Sequence, residues 1–171
     1  MKVLMIVQEP VVTRRIIQEA RSLVEAGHSV SILSRAGDTE DIAGEIEGIP
    51  VEWVAVKGRD PRFGWLYRLV GVERGSNFAA LWSVLTMRHT FTLRALDRAM
   101  AARADVYHAH DLNNLELACR AAAANRARVV YDSHELFSEI GNRWIQLRRK
   151  AWVRLERKLI KKAHLVVTVN E

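Results

Sequence analysis

The sequence has a single cysteine, Cys119, so no disulfide can form within the chain. Cys119 sits in an alanine-rich stretch, where a small buried apolar residue is expected and a reactive thiol is not. Long apolar runs are also missing, and nothing approaches the roughly 18 residues of a membrane-spanning helix. The opening run Val3 to Val7 looks superficially like a signal segment, but Gln8-Glu9-Pro10 ends it and no small-residue cleavage pattern follows. These absences point to a cytoplasmic protein. No glycine occurs between residues 8 and 13, so a G-x-G-x-x-G fingerprint after the first strand is lacking. Walker A, G-x-S-x-G and C-x-x-C sequences are absent too. NAD enzymes and nucleotide-phosphate hydrolases are therefore disfavoured.

What is present is one domain's worth of chain. The 171 residues are 49% apolar and 27% charged, which suffices for a real core. The net charge of +6 is unevenly placed: residues 143–162 hold nine basic side chains against one acid, Glu156, leaving the rest slightly acidic. Basicity confined to one element argues against nucleic-acid binding. A basic amphipathic segment can lie on an anionic membrane surface. Its apolar positions, Trp144, Leu147, Ala151, Trp152, Leu155, Leu159 and Ala163, suit equally a helix that covers a sheet and leaves its charges in water.

The apolar pattern reads as strands alternating with helices. Val3–Val7 has no polar alternation, as in a parallel strand covered on both faces. Thr13 is placed to cap a helix whose apolar positions are Ile16, Ile17, Ala20, Leu23 and Val24, and Gly27 stops it. His28–Ser34, Val51–Val56, Val106–Ala109, Val129–Tyr131 and Leu165–Val169 read as further strands. Asp38–Gly48 reads as a loop or weak helix, and Asp60–Asn77 as a loop with a short helix at Trp65–Val70. Its cluster of Phe63, Trp65, Leu66 and Tyr67 could touch a membrane or a substrate, or plug the core. Phe78, Leu81, Trp82, Leu85, His89, Thr92, Leu93, Leu96 and Met100 trace a long helix ending near Arg103, and Leu115–Asn125 a second. The expected fold is α/β, a doubly wound Rossmann-like parallel sheet of about six strands ordered 3-2-1-4-5-6, with helices on both faces. A final strand normally feeds a closing helix, so the chain is expected to belong to a longer protein.

Ligands of such sheets bind beyond the carboxyl ends of the strands. Three ends are polar here: Gln8-Glu9-Pro10, His108-Ala109-His110-Asp111 and Asp132-Ser133-His134-Glu135. His108 and His110, two apart, point the same way along their strand. His108 is expected in the core or behind the site, whereas His110 and His134 read as site residues. His28, His89 and His164 read as structural. Arg14 and Arg15, at the first helix N-terminus, could meet an anion or simply face water. Two other readings stay open: a metal-dependent hydrolase using His108, His110, Asp111 and His134, and a non-catalytic Rossmann-like binding module.

Several segments together resemble the N-terminal domain of family-4 retaining glycosyltransferases of the GT-B type. They are Met1–Leu4, Leu23–Val30, Asp105–Asp111, Val130–Glu135 and Ala163–Val169. The resemblance spans nearly the whole chain; sugar-nucleotide epimerases share the architecture. It implies transfer of a sugar from a UDP- or GDP-sugar to a carbohydrate or lipid-linked acceptor with retained anomeric configuration. No metal or tightly bound cofactor is implied. Cell-envelope polysaccharide synthesis, on or near the inner face of the membrane, is the implied setting. By the same analogy His110 contacts the transferring sugar, and Asp111, His134 and Glu135 line the acceptor side. The loop of Gln8, Glu9 and Pro10, with Arg14, approaches the donor phosphates. The paired-glutamate, donor-binding domain of the family has no counterpart in these residues, so the chain alone is expected to be inactive.

Overall fold

The structure is a computed structural model describing residues 1–37, 40–56, 91–134 and 145–168, with side chains of 145–151 left aside. Seven strands form one sheet: β1 (Lys2–Ile6), β2 (Ser29–Ala36), β3 (Ile42–Ile46), β4 (Ile49–Ala55), β5 (Val106–His110), β6 (Arg128–Ser133) and β7 (Leu165–Thr168). Their spatial order is β3-β4-β2-β1-β5-β6-β7, and every pairing is parallel except β3 with β4. The helices are α1 (Arg14–Glu25), α2 (residues 91–101), α3 (Leu112–Asn125) and α4 (Ile145–Leu159), the last running into a 3₁₀ turn at Ile160–Lys162. The expected doubly wound order holds for the six parallel strands.

Alternation along the strands sorts the core onto two faces. Val3 and Met5 of β1 and Val7 just after it, with Val30, Ile32 and Val51, pack against Ile16, Ile17 and Ala20 of α1. Leu4 and Ile6, with Leu33, Val54, Tyr107, Ala109 and Tyr131, pack against α2, α3 and Leu159 of α4. Each face removes the apolar side of its covering helices from water, which is the main drive for the layered fold.

Four expectations are corrected. The segment read as a loop or weak helix at 38–48 contains β3, because Glu47 (φ 51°) and Gly48 (φ 78°) close a two-residue hairpin onto β4. Two left-handed residues in succession give the turn whose twist matches paired strands. Val24, expected on the apolar face of α1, is 48% exposed because that face is narrower, ending at the half-buried Leu23. Leu93 is likewise 41% exposed, since α2 buries Phe91, Thr92, Ala95 and Ala99 instead. α3 starts at Leu112 and not Leu115. Asp111, at φ 66° and ψ 162°, turns the chain sharply from β5 into the helix. The Phe63–Tyr67 cluster, His89 and the rest of the segment between β4 and α2 lie outside the described residues, as does Glu135.

The amino end of the sheet is knitted by neutral hydrogen bonds. Tyr107 Oη donates to the carbonyl of Ala99 at 2.9 Å, and Asn125 Nδ2 donates to Met100 O at 2.8 Å and to Tyr107 Oη at 2.5 Å. α2, β5 and α3 are thereby joined through Tyr107 and Asn125. Cys119 is buried as expected, and burial pushes its thiol pKa up. His164 Nδ1 accepts the Val129 N–H at 3.2 Å, a structural role.

Candidate functional site

The site forms where β1, β5 and β6 end beneath the first turns of α1. Register decides its composition. Pairing of β5 with β6 sets His108 opposite Val130 and His110 opposite Asp132, on the face that α1 covers. The rings of His108 and His110 stack at 4.4 Å between centroids, as two residues on one face of a strand can. His134 follows the end of β6, with its ring 5.4 Å from that of His110. From α1, Arg15 and Glu19 stand one helical turn apart and so reach the same patch.

Asp132 is the hub. Its Oδ2 lies 3.1 Å from His134 Nε2, 3.5 Å from His110 Nδ1 and 3.6 Å from an Arg15 Nη2. The carboxylate is buried, with a side-chain exposure of 7%, while that of Arg15 is 51% exposed at the rim. A buried carboxylate is tolerable only with such partners. His110 Nδ1 also lies 3.1 Å from His134 Nε2, and Arg15 contacts that same Nε2. The His134 amide donates to Asp111 Oδ1 at 3.1 Å, and Asn114 Nδ2 donates to the His110 carbonyl. The Asp111 amide in turn donates to the Asp132 carbonyl at 2.8 Å. Asp111 therefore shapes the strand-to-helix corner that holds His110 and His134 together.

Deeper in, His108 Nδ1 faces Glu19 Oε1 at 3.5 Å. Burial pushes the His108 pKa down to about 3, aided by repulsion from His110 and opposed by Asp132. Burial likewise raises that of Glu19, against the attraction of His110 and Arg15. The imidazole is thus neutral, and this contact is not an ion pair. His108 is 5% exposed, in keeping with the role expected behind the site. Four buried ring or amide atoms here have no hydrogen-bond partner among the described residues: His108 Nε2, His110 Nε2, Asn114 Oδ1 and His134 Nδ1. Native interiors rarely leave such atoms alone, so their concentration at one place makes it the candidate site.

Of the residues singled out from sequence, His110, Asp111 and His134 come together. Gln8, Glu9 and Pro10 sit at the end of β1 as a pinned loop: Ser34 Oγ donates to Glu9 O at 2.6 Å, and Arg35 Nε donates to Gln8 O at 3.2 Å. Glu9, Pro10 and Arg14 are exposed, and no hydrogen bond or ion pair among the described residues ties their side chains to the histidine cluster. Glu19 was missed, because its place depends on the rotation of α1 over the sheet; a carboxylate four residues after Arg15 was the available signal. Asp132 was visible only as part of a polar strand end. The cluster that could hold a metal also differs from the expected set, with Glu19 and Asp132 in place of Asp111 and His134: one ligand atom from each of Glu19, His108, His110 and Asp132 falls within 4.8 Å of the others.

The chain matches the glycosyl transferase 4-like domain over residues 12–171. A comparison with curated proteins finds no match. Solved structures similar in fold include sucrose-phosphate synthase from Thermosynechococcus elongatus, at TM-score 0.62 and 12% identity, covering 97% of this chain and 42% of that one. MurG of Acinetobacter baumannii aligns at TM-score 0.51 and 13% identity, covering 99% and 42%. A trehalose-6-phosphate protein from E. coli, bound with UDP-2-fluoro glucose, aligns at 0.57 and 12%, covering 96% and 39%. The chain thus spans about two fifths of the length of these three proteins.

Proposed function

Because the chain belongs to the glycosyl transferase 4-like family and has the Rossmann-like fold of a GT-B N-terminal domain, we propose that it is the acceptor-side half of a retaining glycosyltransferase. The donor is a UDP- or GDP-sugar, gripped mainly by a second domain, and the acceptor is a carbohydrate or a lipid-linked sugar. The observation that carries this reading is the cluster of His110, His134, Asp132 and Arg15 at the carboxyl ends of the strands. The position is where open α/β sheets take their ligands.

Sugar transfer passes through an oxocarbenium-like state while charge builds on the leaving phosphate. In our reading Asp132 holds the Nδ1 side of His110, which leaves Nε2 to meet a hydroxyl of the transferring sugar. His134, fixed through its main chain by Asp111, and Glu135 line the acceptor side. Arg15 and Arg14, at the start of α1, supply positive charge near the phosphates, and the pinned loop of Gln8, Glu9 and Pro10 forms their floor. None of these groups needs a metal to act. A half-site cannot align two substrates, so the chain alone transfers no sugar. The charges of residues 143–162 hold the enzyme against an anionic membrane surface. Within that segment Trp152 and Leu155 pack on the core while Arg154, Arg157, Lys158, Lys161 and Lys162 face outward. No helix among the described residues is long and apolar enough to cross a membrane. The hydrolase alternative gains nothing from the family match or the fold neighbours.

Calorimetric titration of the 171-residue chain with UDP- and GDP-sugars tests the division of labour. Negligible heat is expected. Tight nucleotide binding by this chain would overturn the assignment of the donor to a second domain.

A further inference from the structure

We infer that Glu19, His108, His110 and Asp132 form a closed binding site for a zinc-class divalent ion. The inference does not rest on sugar transfer; it rests on the donor set and its spacing. Two imidazoles and two carboxylates suit borderline first-row ions, zinc above all, and not the all-oxygen shells of calcium or magnesium. A tetrahedral ion with bonds of about 2.1 Å separates its ligand atoms by roughly 3.4 Å. The two imidazole–carboxylate separations within the set are both 3.5 Å, for Glu19 Oε1 with His108 Nδ1 and for Asp132 Oδ2 with His110 Nδ1. One ligand atom from each of the four residues lies within 4.8 Å of the rest, so closing on an ion needs only small side-chain shifts.

The charge of the group favours the same outcome. The two carboxylates, one buried and one partly exposed, are balanced by one divalent ion. Arg15, which now faces Asp132, is half exposed and can swing outward when the ion replaces it. Four protein ligands leave no open position for water, so the site is of the closed kind and does not make a metallohydrolase. Ligation instead takes up Nδ1 of His110 and the Asp132 carboxylate, so an occupied site replaces the contact between these two groups and leaves His110 Nε2 where it was.

The test is metal binding by the chain itself, with zinc as the probe and competition against a chromophoric chelator as the readout. Cobalt(II) substitution adds the visible absorption of a tetrahedral ion. We expect one zinc per chain and a tetrahedral cobalt spectrum. Glu19→Gln, which keeps the shape of the side chain, should weaken affinity at least tenfold, in line with the roughly 10–100-fold cost of losing even supporting groups at metal sites. His108→Gln should do the same, and His28→Asn should change nothing. Absent stoichiometric binding, or binding indifferent to both Glu19→Gln and His108→Gln, would overturn the site. An octahedral cobalt spectrum would overturn the closed geometry.

Discussion

The two ends of the sheet are built on opposite terms. At the amino end, Tyr107, Asn125 and the last turn of α2 exchange neutral hydrogen bonds. At the carboxyl end, Asp132 gathers two histidines and an arginine, while buried atoms of His108, His110, Asn114 and His134 find no partner among the described residues. The first arrangement holds the fold together. The second forgoes internal pairing, and what it keeps is a set of donors and acceptors ready for something that arrives from outside. Asp111, a non-glycine residue at φ 66°, adds backbone strain at the same end.

If this contrast is correct, substitutions at the two ends separate activity from stability. The largest effect is expected from His110→Ala in the proposed two-domain enzyme. Transfer should slow by roughly 10²–10³-fold, the usual cost of losing one group aimed at developing charge, with little change in the melting temperature. Initial-rate kinetics beside a thermal melt would check both halves. Tyr107→Phe should do the reverse: it strands the Ala99 carbonyl and costs about 1–3 kcal/mol by urea denaturation, with kcat unchanged.

Acid should weaken the carboxyl end first. The folded-state pKa of His108 is pushed below its ordinary 6.5 to about 3, so between those values the unfolded chain binds the extra proton. Stability is full above pH 6.5 and falls as pH drops, by up to about 1.4 kcal/mol per unit. Glu19 works the other way, since its raised pKa lets the folded state take up a proton first. Urea midpoints across a pH series should therefore slope for the wild type and flatten in His108→Gln. The smallest effect is expected at the edge of the sheet. Arg98 bridges Glu52 at 2.8 Å and Asp41 at 2.6 Å with a third of its side chain exposed. Arg98→Ala should cost only about 0.5–1 kcal/mol by the same denaturation measurement.

The same contrast explains what could be read from the sequence. Strand ends are legible because apolar runs stop at polar residues, so His108-Ala109-His110-Asp111 and Asp132-Ser133-His134 announced their place. The six parallel strands and their order follow from the same runs. β3 was not legible, because all its side chains but the last, Ile46, are exposed and it carries no apolar alternation. Only Glu47-Gly48 hinted at a hairpin. Glu19 was hidden for another reason: which residues of an amphipathic helix lean over a sheet's end depends on packing between elements far apart in sequence. Asp132 as a hub required the β5–β6 register, which no local pattern sets.

The acceptor-side assignment is tested most directly by steady-state kinetics of His134→Ala in the two-domain enzyme, with donor and acceptor varied in turn. The account predicts an acceptor KM raised by about tenfold or more, the worth of one good polar contact, and an unchanged donor KM. A raised donor KM with the acceptor KM untouched would contradict it.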